Sequence, residues 1–364
     1  VTRLLIVDDS ALMRRLLTAI FTAAGDFEVE IARNGEEALT RLAAFAPDVI
    51  TLDIHMPGMD GLACLDRIMV LRPCPVVMVS SLTAEGAEET LEAMALGAVD
   101  FVPKPKGAVS LEIDAIAGDL VTRVRAASKA RISSATRLRD RVRETTAGVF
   151  AKPKAPGKVA TRAMPLRPVV SGDGPGLVLI GCSTGGPPAL DAVLGALPAD
   201  FPWPIVIAQH MPASFTGPLA QRLDRLCALT VREVAASTVL LPGHAYIGRG
   251  DADLILSRRN GALIAMPAPS STEHFWHPSV DRMVQSAMRL VAPERLIGVL
   301  MTGMGNDGAT AMAHLKDAGG TTIAEAESTA IVWGMPGALA QRGGATCLRP
   351  LDEIADQLTT FLST

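Results

Sequence analysis

The sequence has little of what a secreted, membrane-spanning or disordered protein needs. Its five cysteines (Cys64, Cys74, Cys182, Cys227, Cys347) are odd in number, widely scattered and without a C-x-x-C pair. That pattern supports neither a disulfide framework nor a structural zinc site, and a reducing cytoplasm fits it best. No apolar stretch reaches the roughly 18 residues of a membrane span. Val1 opens directly into a strand-like run rather than a basic segment followed by an apolar one, so neither export nor direct membrane insertion is expected. Aromatic residues are few, at 9 Phe, 3 Trp and 1 Tyr, whereas 32 Gly and 25 Pro supply turns. With 49% hydrophobic and 20% charged residues, the 364-residue chain is globular in composition, and two domains are the default at this length. It contains no internal repeat.

The net charge of −4 is small but unevenly placed. Residues 1–122 carry 9 Lys/Arg against 19 Asp/Glu, residues 123–167 carry 13 against 2, and the remainder carries 12 against 17. The basic stretch coincides with the Lys/Pro/Ala-rich sequence around Lys152, Pro153, Lys154, Pro156, Gly157 and Lys158, which reads as a tether. Helical spacing persists from about Leu111 to Arg143 (Ile113, Ile116, Leu120, Val124), so a helix is expected to run past the end of its domain. The expected organisation is therefore a first domain over 1–122, a helical extension and basic linker over 123–174, and a second domain over 175–364. The acidic third segment lacks a compact helix-turn-helix candidate, so no nucleic-acid partner is expected.

In the first domain, apolar runs at Leu4–Val7, Val29–Ala32, Val49–Leu52, Val76–Val79 and Val99–Val102 alternate with helix-like segments. Five βα units predict a doubly wound parallel sheet whose functional crevice lies at the carboxyl ends of the strands. Asp8 and Asp9 follow the first strand and Asp53 ends the third; three carboxylates crowded together call for a hard divalent cation, Mg²⁺ being natural where phosphate is handled. Ser80 and Lys104, at the ends of the fourth and fifth strands, can contact a phosphoryl group. Singly each has a plainer reading, Asp8 or Asp9 as a helix N-cap, Asp53 as a turn acid, Lys104 as surface charge. Together they describe a phospho-accepting aspartate site. With Met56-Pro57-Gly58-Met59-Asp60-Gly61 and Lys104-Pro105, the domain resembles a flavodoxin-like two-component receiver. The resemblance implies phosphorylation of Asp53 by a histidine kinase, Mg²⁺ held by Asp9 and Asp53 with Asp8 in support, and a cis peptide before Pro105. His55 departs from the carboxylate more common two residues after the phosphoacceptor, a change expected to bear on dephosphorylation or partner contacts.

In the second domain, the strand Leu177–Ile180 leads into Gly181-Cys182-Ser183-Thr184-Gly185-Gly186 and a helix from Pro187 to about Leu197. This is G-x-S-x-G at a strand-to-helix turn, where a serine hydroxyl is presented near free helix amides. The strand Ile205–Ala208 ends in Gln209-His210-Met211-Pro212, and Leu296–Met301 is followed by Thr302-Gly303-Met304-Gly305-Asn306-Asp307-Gly308 and a helix from Ala309 to about Ala318. Ser183, His210 and Asp307 thus each follow a parallel strand as nucleophile, base and base-orienting acid, with amides near Met304 or Thr184 as oxyanion donors. The chain order Ser, His, Asp differs from that of α/β-hydrolases, so a Rossmann-like sheet with its own triad is expected. Gly303 to Gly308 also fits G-x-G-x-x-G with Glu325 17 residues on, a weak dinucleotide signal that leaves Ser183 and His210 unexplained.

The segments GCSTGG, QHMP, HPSVD, LMTGMGNDGA and WGMP, in this order behind a receiver, resemble the chemotaxis protein-glutamate methylesterase (CheB) family over nearly the whole chain apart from the linker. The resemblance implies that Ser183, His210 and Asp307 form the triad with the Met304 amide as oxyanion donor. It implies hydrolysis of glutamate γ-methyl esters, and deamidation of certain glutamines, on chemoreceptor signalling helices, without a cofactor for the ester chemistry. Thr184 and His277 are candidates for the substrate cleft, while Asp281 reads as an acid in a helix's first turn. The competing expectation is a receiver joined to a docking module without esterase activity.

Overall fold

The computed structural model describes residues 1–80, 83–104, 110–131 and 176–363. The five apolar runs of the first domain become β1 (Thr2–Val7), β2 (Phe27–Ala32), β3 (Val49–Asp53), β4 (Val76–Ser80) and β5 (Asp100–Pro103). They pair in parallel in the order β2-β1-β3-β4-β5. Strands β3 and β4 are buried along their whole length, which is why VITLD and VVMVS read as continuous apolar runs rather than alternating ones. Helices α1 (Ala11–Ala24), α2 (Gly35–Phe45), α3 (Gly61–Leu71) and α4 (Ala84–Leu96) connect them, and α5 (Ser110–Ala127) follows β5. Ser10, Asn34, Asp60 and Thr83 cap the first four by accepting a backbone N–H three residues on. Ser10 thus takes the capping role at α1, which leaves Asp8 and Asp9 for the strand-end cluster.

The helix expected from Leu111 is α5, and it ends at Ala127. Residues 132–175, and with them most of the expected linker, lie outside the described residues, as does the Pro105 at which a cis peptide was expected.

In the second domain, β6 (Leu177–Cys182), β7 (Ile205–Gln209), β8 (Thr230–Val234), β10 (His244–Gly248), β13 (Leu296–Leu300), β14 (Thr321–Glu325) and β15 (Cys347–Arg349) form one parallel sheet. Its order is β15-β14-β13-β6-β7-β10-β8. The chain builds outward on one side of β6 and then returns to its other side, so a topological switch point lies between β6 and β13. Around the sheet lie α6 (Gly186–Gly195), α7 (Ala213–Leu226), α8 (Val280–Met288), α9 (Ala309–Asp317), α10 (Met335–Gln341) and α11 (Ile354–Ser363).

A parallel sheet alone does not describe this domain. The strands β9 (Thr238–Val239), β11 (Asp253–Arg259) and β12 (Ala262–Ala268) form a small antiparallel sheet in the order β11-β12-β9. Its local cause is the Asn260-Gly261 turn, both residues at positive φ, which joins β11 and β12 with Arg259 opposite Ala262. The sheet brings Asp253 and the segment leading to α8 against the crevice. Among the described residues no helix is long and apolar enough to cross a membrane.

Candidate active site

Strands β13, β6 and β7 are neighbours, so the loops after them converge at one edge of the sheet. Ser183 follows β6, His210 follows β7, and Asp307 precedes α9; their exposures are 4%, 3% and 9%. Gly185 and Gly308 introduce the two helices in the left-handed region, at φ 76° and 86°, where a side chain would be strained. Gly186 lies so close to Gln209 that a Cβ would meet its Oε1. That approach lets the Gln209 amide donate to the carbonyls of Ser183 and His210 at 3.0 and 3.1 Å, locking the nucleophile and base loops together.

His210 donates from Nε2 to Asp307 Oδ2 at 2.8 Å. Its other ring nitrogen, Nδ1, is buried and has no partner among the described residues, so its lone pair is free to take a proton. Asp307 also accepts from Ser279 Oγ (3.0 Å), Val280 N (2.7 Å) and Asp281 N (3.0 Å), the start of α8. Burial pushes the Asp307 carboxyl up, but His210 and these helix amides outweigh it and hold it below its ordinary 3.8. A carboxylate so held orients the imidazole and stabilises its protonated form. Ser183 Oγ has no hydrogen-bond partner among the described residues. The N–H groups of Thr184 and Met304 are likewise unpartnered, and the two loops touch, since a Cβ on Gly303 would lie 2.8 Å from that of Ser183.

Sequence reasoning missed the aromatic wall. Trp276 stacks on the His210 ring with centroids 5.4 Å apart and planes 9° apart, and Phe275, 80% exposed, meets Trp276 edge-on. With His277, Met211 and Pro212 they line a cavity of about 320 Å³ beside His210. Phe275 and Trp276 immediately precede the HPSVD segment, and that adjacency was the available signal. His277 donates from Nδ1 to Asp253 at 2.9 Å, and Asp253 also accepts from Ser279 N and Ser271 N. Asp281 sits in the first turn of α8 as expected, and its side chain accepts from Ala311 N, bracing α9. Glu325 is fully buried and bound to Thr302 N, so it cannot meet a ribose, and the dinucleotide reading falls.

In the first domain Lys104 Nζ lies 2.6 Å from Asp53 Oδ2 and 3.5 Å from Asp8 Oδ2. One oxygen each of Asp8, Asp9 and Asp53 come within 4.8 Å of one another. Burial, and then the neighbouring Asp53, push the Asp8 carboxyl up, and Asp8 Oδ2 is a buried atom without a hydrogen-bond partner among the described residues. An all-oxygen donor set with an orphaned carboxylate oxygen fits Mg²⁺. Ser80 donates to the Gly86 carbonyl and accepts from Thr90, both in α4. His55 Nε2 reaches Glu89 of the same helix at 3.0 Å.

The two domains meet at the crevice. Thr184 Oγ1 donates to Asp100 Oδ2 of β5 at 2.6 Å, directly beside the candidate nucleophile. Arg123 of α5 binds Asp100 and Asp119 and places its guanidinium 5.4 Å from the Trp276 ring centre. Phe101 packs on Phe215 with ring centres 4.4 Å apart, and α4 lies against α6 and α7. Arg131 pairs with Glu327 at 2.8 Å.

The low-lying Asp307 carboxyl gives a signed expectation for stability. A group held below its ordinary value stabilises the fold above about pH 4 and loses that contribution as pH falls through its folded value. Asp307→Asn is expected to unfold at lower urea than the parent at pH 7, with the difference shrinking below about pH 4; a constant difference from pH 7 to 3 would contradict the assignment.

The CheB methylesterase family matches residues 178–358, and the response regulator receiver domain matches residues 4–114. A protein-glutamate methylesterase/protein-glutamine glutaminase of Rhodopseudomonas palustris is 56% identical over 97% of this chain and 96% of its own. One of Rhodospirillum rubrum is 53% identical over 100% of this chain and 96% of its own. The crystal structure of the Thermotoga maritima CheB methylesterase catalytic domain aligns with 52% of this chain and 99% of its own, at 38% identity and a TM-score of 0.50. The chain belongs to the CheB family of receiver-linked protein-glutamate methylesterases and protein-glutamine glutaminases.

Proposed function

We propose that the chain removes γ-methyl esters from glutamates, and the amide from certain glutamines, on the signalling helices of methyl-accepting chemoreceptors. In this reading a chemotaxis histidine kinase controls the reaction by phosphorylating Asp53. The observation that carries the chemistry is the buried His210–Asp307 pair, its Nδ1 unpartnered, beside the Ser183 loop. Ser183 Oγ attacks the γ-carbonyl carbon as its proton passes to His210 Nδ1. The N–H groups of Thr184 and Met304 receive the oxyanion, and the imidazolium returns the proton to the departing methanol or ammonia. Water then attacks the acyl-serine with His210 as base, releasing a glutamate carboxylate and restoring the serine.

Asp8, Asp9 and Asp53 would hold Mg²⁺ in the receiver, and the ion, when bound, neutralises charge on the phosphoryl oxygens. Lys104 pairs with the same group, and Ser80 turns from Gly86 and Thr90 to contact it. Because α4 holds Ser80 and also packs on the catalytic domain, that turn loosens the helix seated on α6 and α7. The domain contacts at Thr184 and Trp276 cover the crevice until then. Free cysteines throughout the described residues accord with a cytoplasmic setting.

Methanol release from methylated receptor signalling fragments tests the chemistry and the switch together. Acetyl phosphate with Mg²⁺ is expected to raise the rate, Ser183→Ala to abolish it, and Asp53→Asn or removal of Mg²⁺ by chelation to abolish only the stimulation. No release from a protein that still takes up phosphate on Asp53 would overturn the esterase reading in favour of docking. Asp100→Ala removes from the covered state the Thr184 hydrogen bond, worth about 1.5–3 kcal/mol to a carboxylate, together with the ion pair that places Arg123 over Trp276, and is expected to raise the unstimulated rate at least about tenfold. An unchanged unstimulated rate would count against the cover.

A further inference from the structure

Glu325 is a buried carboxyl that the hydrolytic steps do not use. It ends β14 at 0% exposure, and no lysine, arginine or histidine pairs with it among the described residues. Its Oε2 accepts the Thr302 N–H at 2.8 Å and its Oε1 accepts the Thr329 hydroxyl at 3.0 Å. Burial pushes the carboxyl up to about 7, the two donors pulling it partly back. An ionisable group in so dry a place is costly, and an apolar side chain would serve packing alone at lower cost.

Thr302 explains what the carboxyl holds. The Thr302 carbonyl accepts the N–H of Ser183 at 3.0 Å, and its hydroxyl donates to the carbonyl of Thr184 at 2.9 Å and accepts the N–H of Val332 at 3.0 Å. The next residue, Gly303, donates to the Val332 carbonyl, and Met304 follows. One carboxyl therefore anchors a peptide bonded to the nucleophile's backbone on one side and continuous with the second oxyanion donor on the other.

We propose that Glu325 is a positioning residue for hydrolysis, fixing through Thr302 the backbones of Ser183, Thr184 and Met304 relative to His210. The proposal rests on the reading of Ser183 as the nucleophile. Few charged groups face Glu325 from the elements around it. Cys182 on β6 is a buried thiol, pushed up first by burial and then by this carboxyl. Arg349 on β15, its register partner, binds Gln357 Oε1 and the Leu348 carbonyl. Glu327 in the following loop is engaged with Arg131, and Trp333 Nε1 donates to the Glu325 backbone carbonyl.

The test is the rate at which a fluorophosphonate labels Ser183, followed by intact and peptide mass from about pH 5.5 to 8.5 with acetyl phosphate and Mg²⁺ present throughout to lift the receiver, in the full chain and in Glu325→Gln and Glu325→Ala. Glutamine can accept from Thr302 N and donate to Thr329, so Glu325→Gln is expected within about threefold of the parent at the acid end. The parent-to-Gln ratio is expected to rise through a single ionisation near pH 7, because a carboxylate grips the Thr302 N–H more tightly than an amide does, and contributions from groups common to both proteins cancel in the ratio. Glu325→Ala leaves a buried N–H unpaired and is expected to react at least about tenfold more slowly. A parent-to-Gln ratio near one at every pH, with Glu325→Ala, or Glu325→Leu where the alanine variant does not fold, labelled at the parent rate, overturns the positioning role. A parent protein labelled elsewhere than Ser183, or not at all, overturns the nucleophile reading instead.

Discussion

The hydrogen bond from Thr184 to Asp100 is the contact on which the regulatory account turns. It joins the residue after the candidate nucleophile to the strand that leads into Lys104, at 2.6 Å and buried on both sides. Asp100 also receives Arg123, whose guanidinium lies over the tryptophan stacked on His210. A receiver so placed touches both the serine loop and the histidine wall of the crevice. An assembly of such contacts suits the proposed lifting of the receiver from the crevice. Ser80 binds α4 by hydroxyl and carbonyl partners that a phosphoryl group can outbid, and α4 is the helix seated on the catalytic domain.

The geometry of the candidate site is secured by backbone amides and carbonyls more than by side-chain pairs. Asp307 is held by the opening turn of α8 as well as by His210, so helix and dyad stand together. Gln209 clasps the carbonyls of Ser183 and His210, and Glu325 anchors Thr302 beneath them. The candidate reacting side chains stand on a buried polar lattice, in which His210 Nδ1 has no hydrogen-bond partner among the described residues.

Local signals made the strands, the strand-end acids and the positions of the candidate triad legible in the sequence. Asp8, Asp9, Asp53, Ser183, His210 and Asp307 each lie at the carboxyl end of a parallel strand or in the loop that follows it, a position that apolar periodicity locates directly. The hairpin at Asn260-Gly261 was not among the elements read from the sequence, and its place over the crevice depends on α8 packing that neighbours in the chain do not report. Asp100 and Arg123 look like ordinary charges of a receiver; their meaning comes from contacts with Thr184 and Trp276, 84 and 153 residues away along the sequence. The spacing of Glu325 from Gly308 offers only a weak dinucleotide signal, and spacing cannot report that a carboxyl is buried against a threonine amide.

Phosphorylation of the receiver is proposed to free the serine loop. Amide hydrogen exchange across residues 182–186, measured with and without beryllofluoride and Mg²⁺ as a phosphoryl mimic, reads that loop directly. The account predicts exchange at least about fivefold faster in the mimic-bound protein, with a parallel rise around Asp100 and Arg123. Exchange unchanged in both segments, with the mimic bound at Asp53, would contradict it.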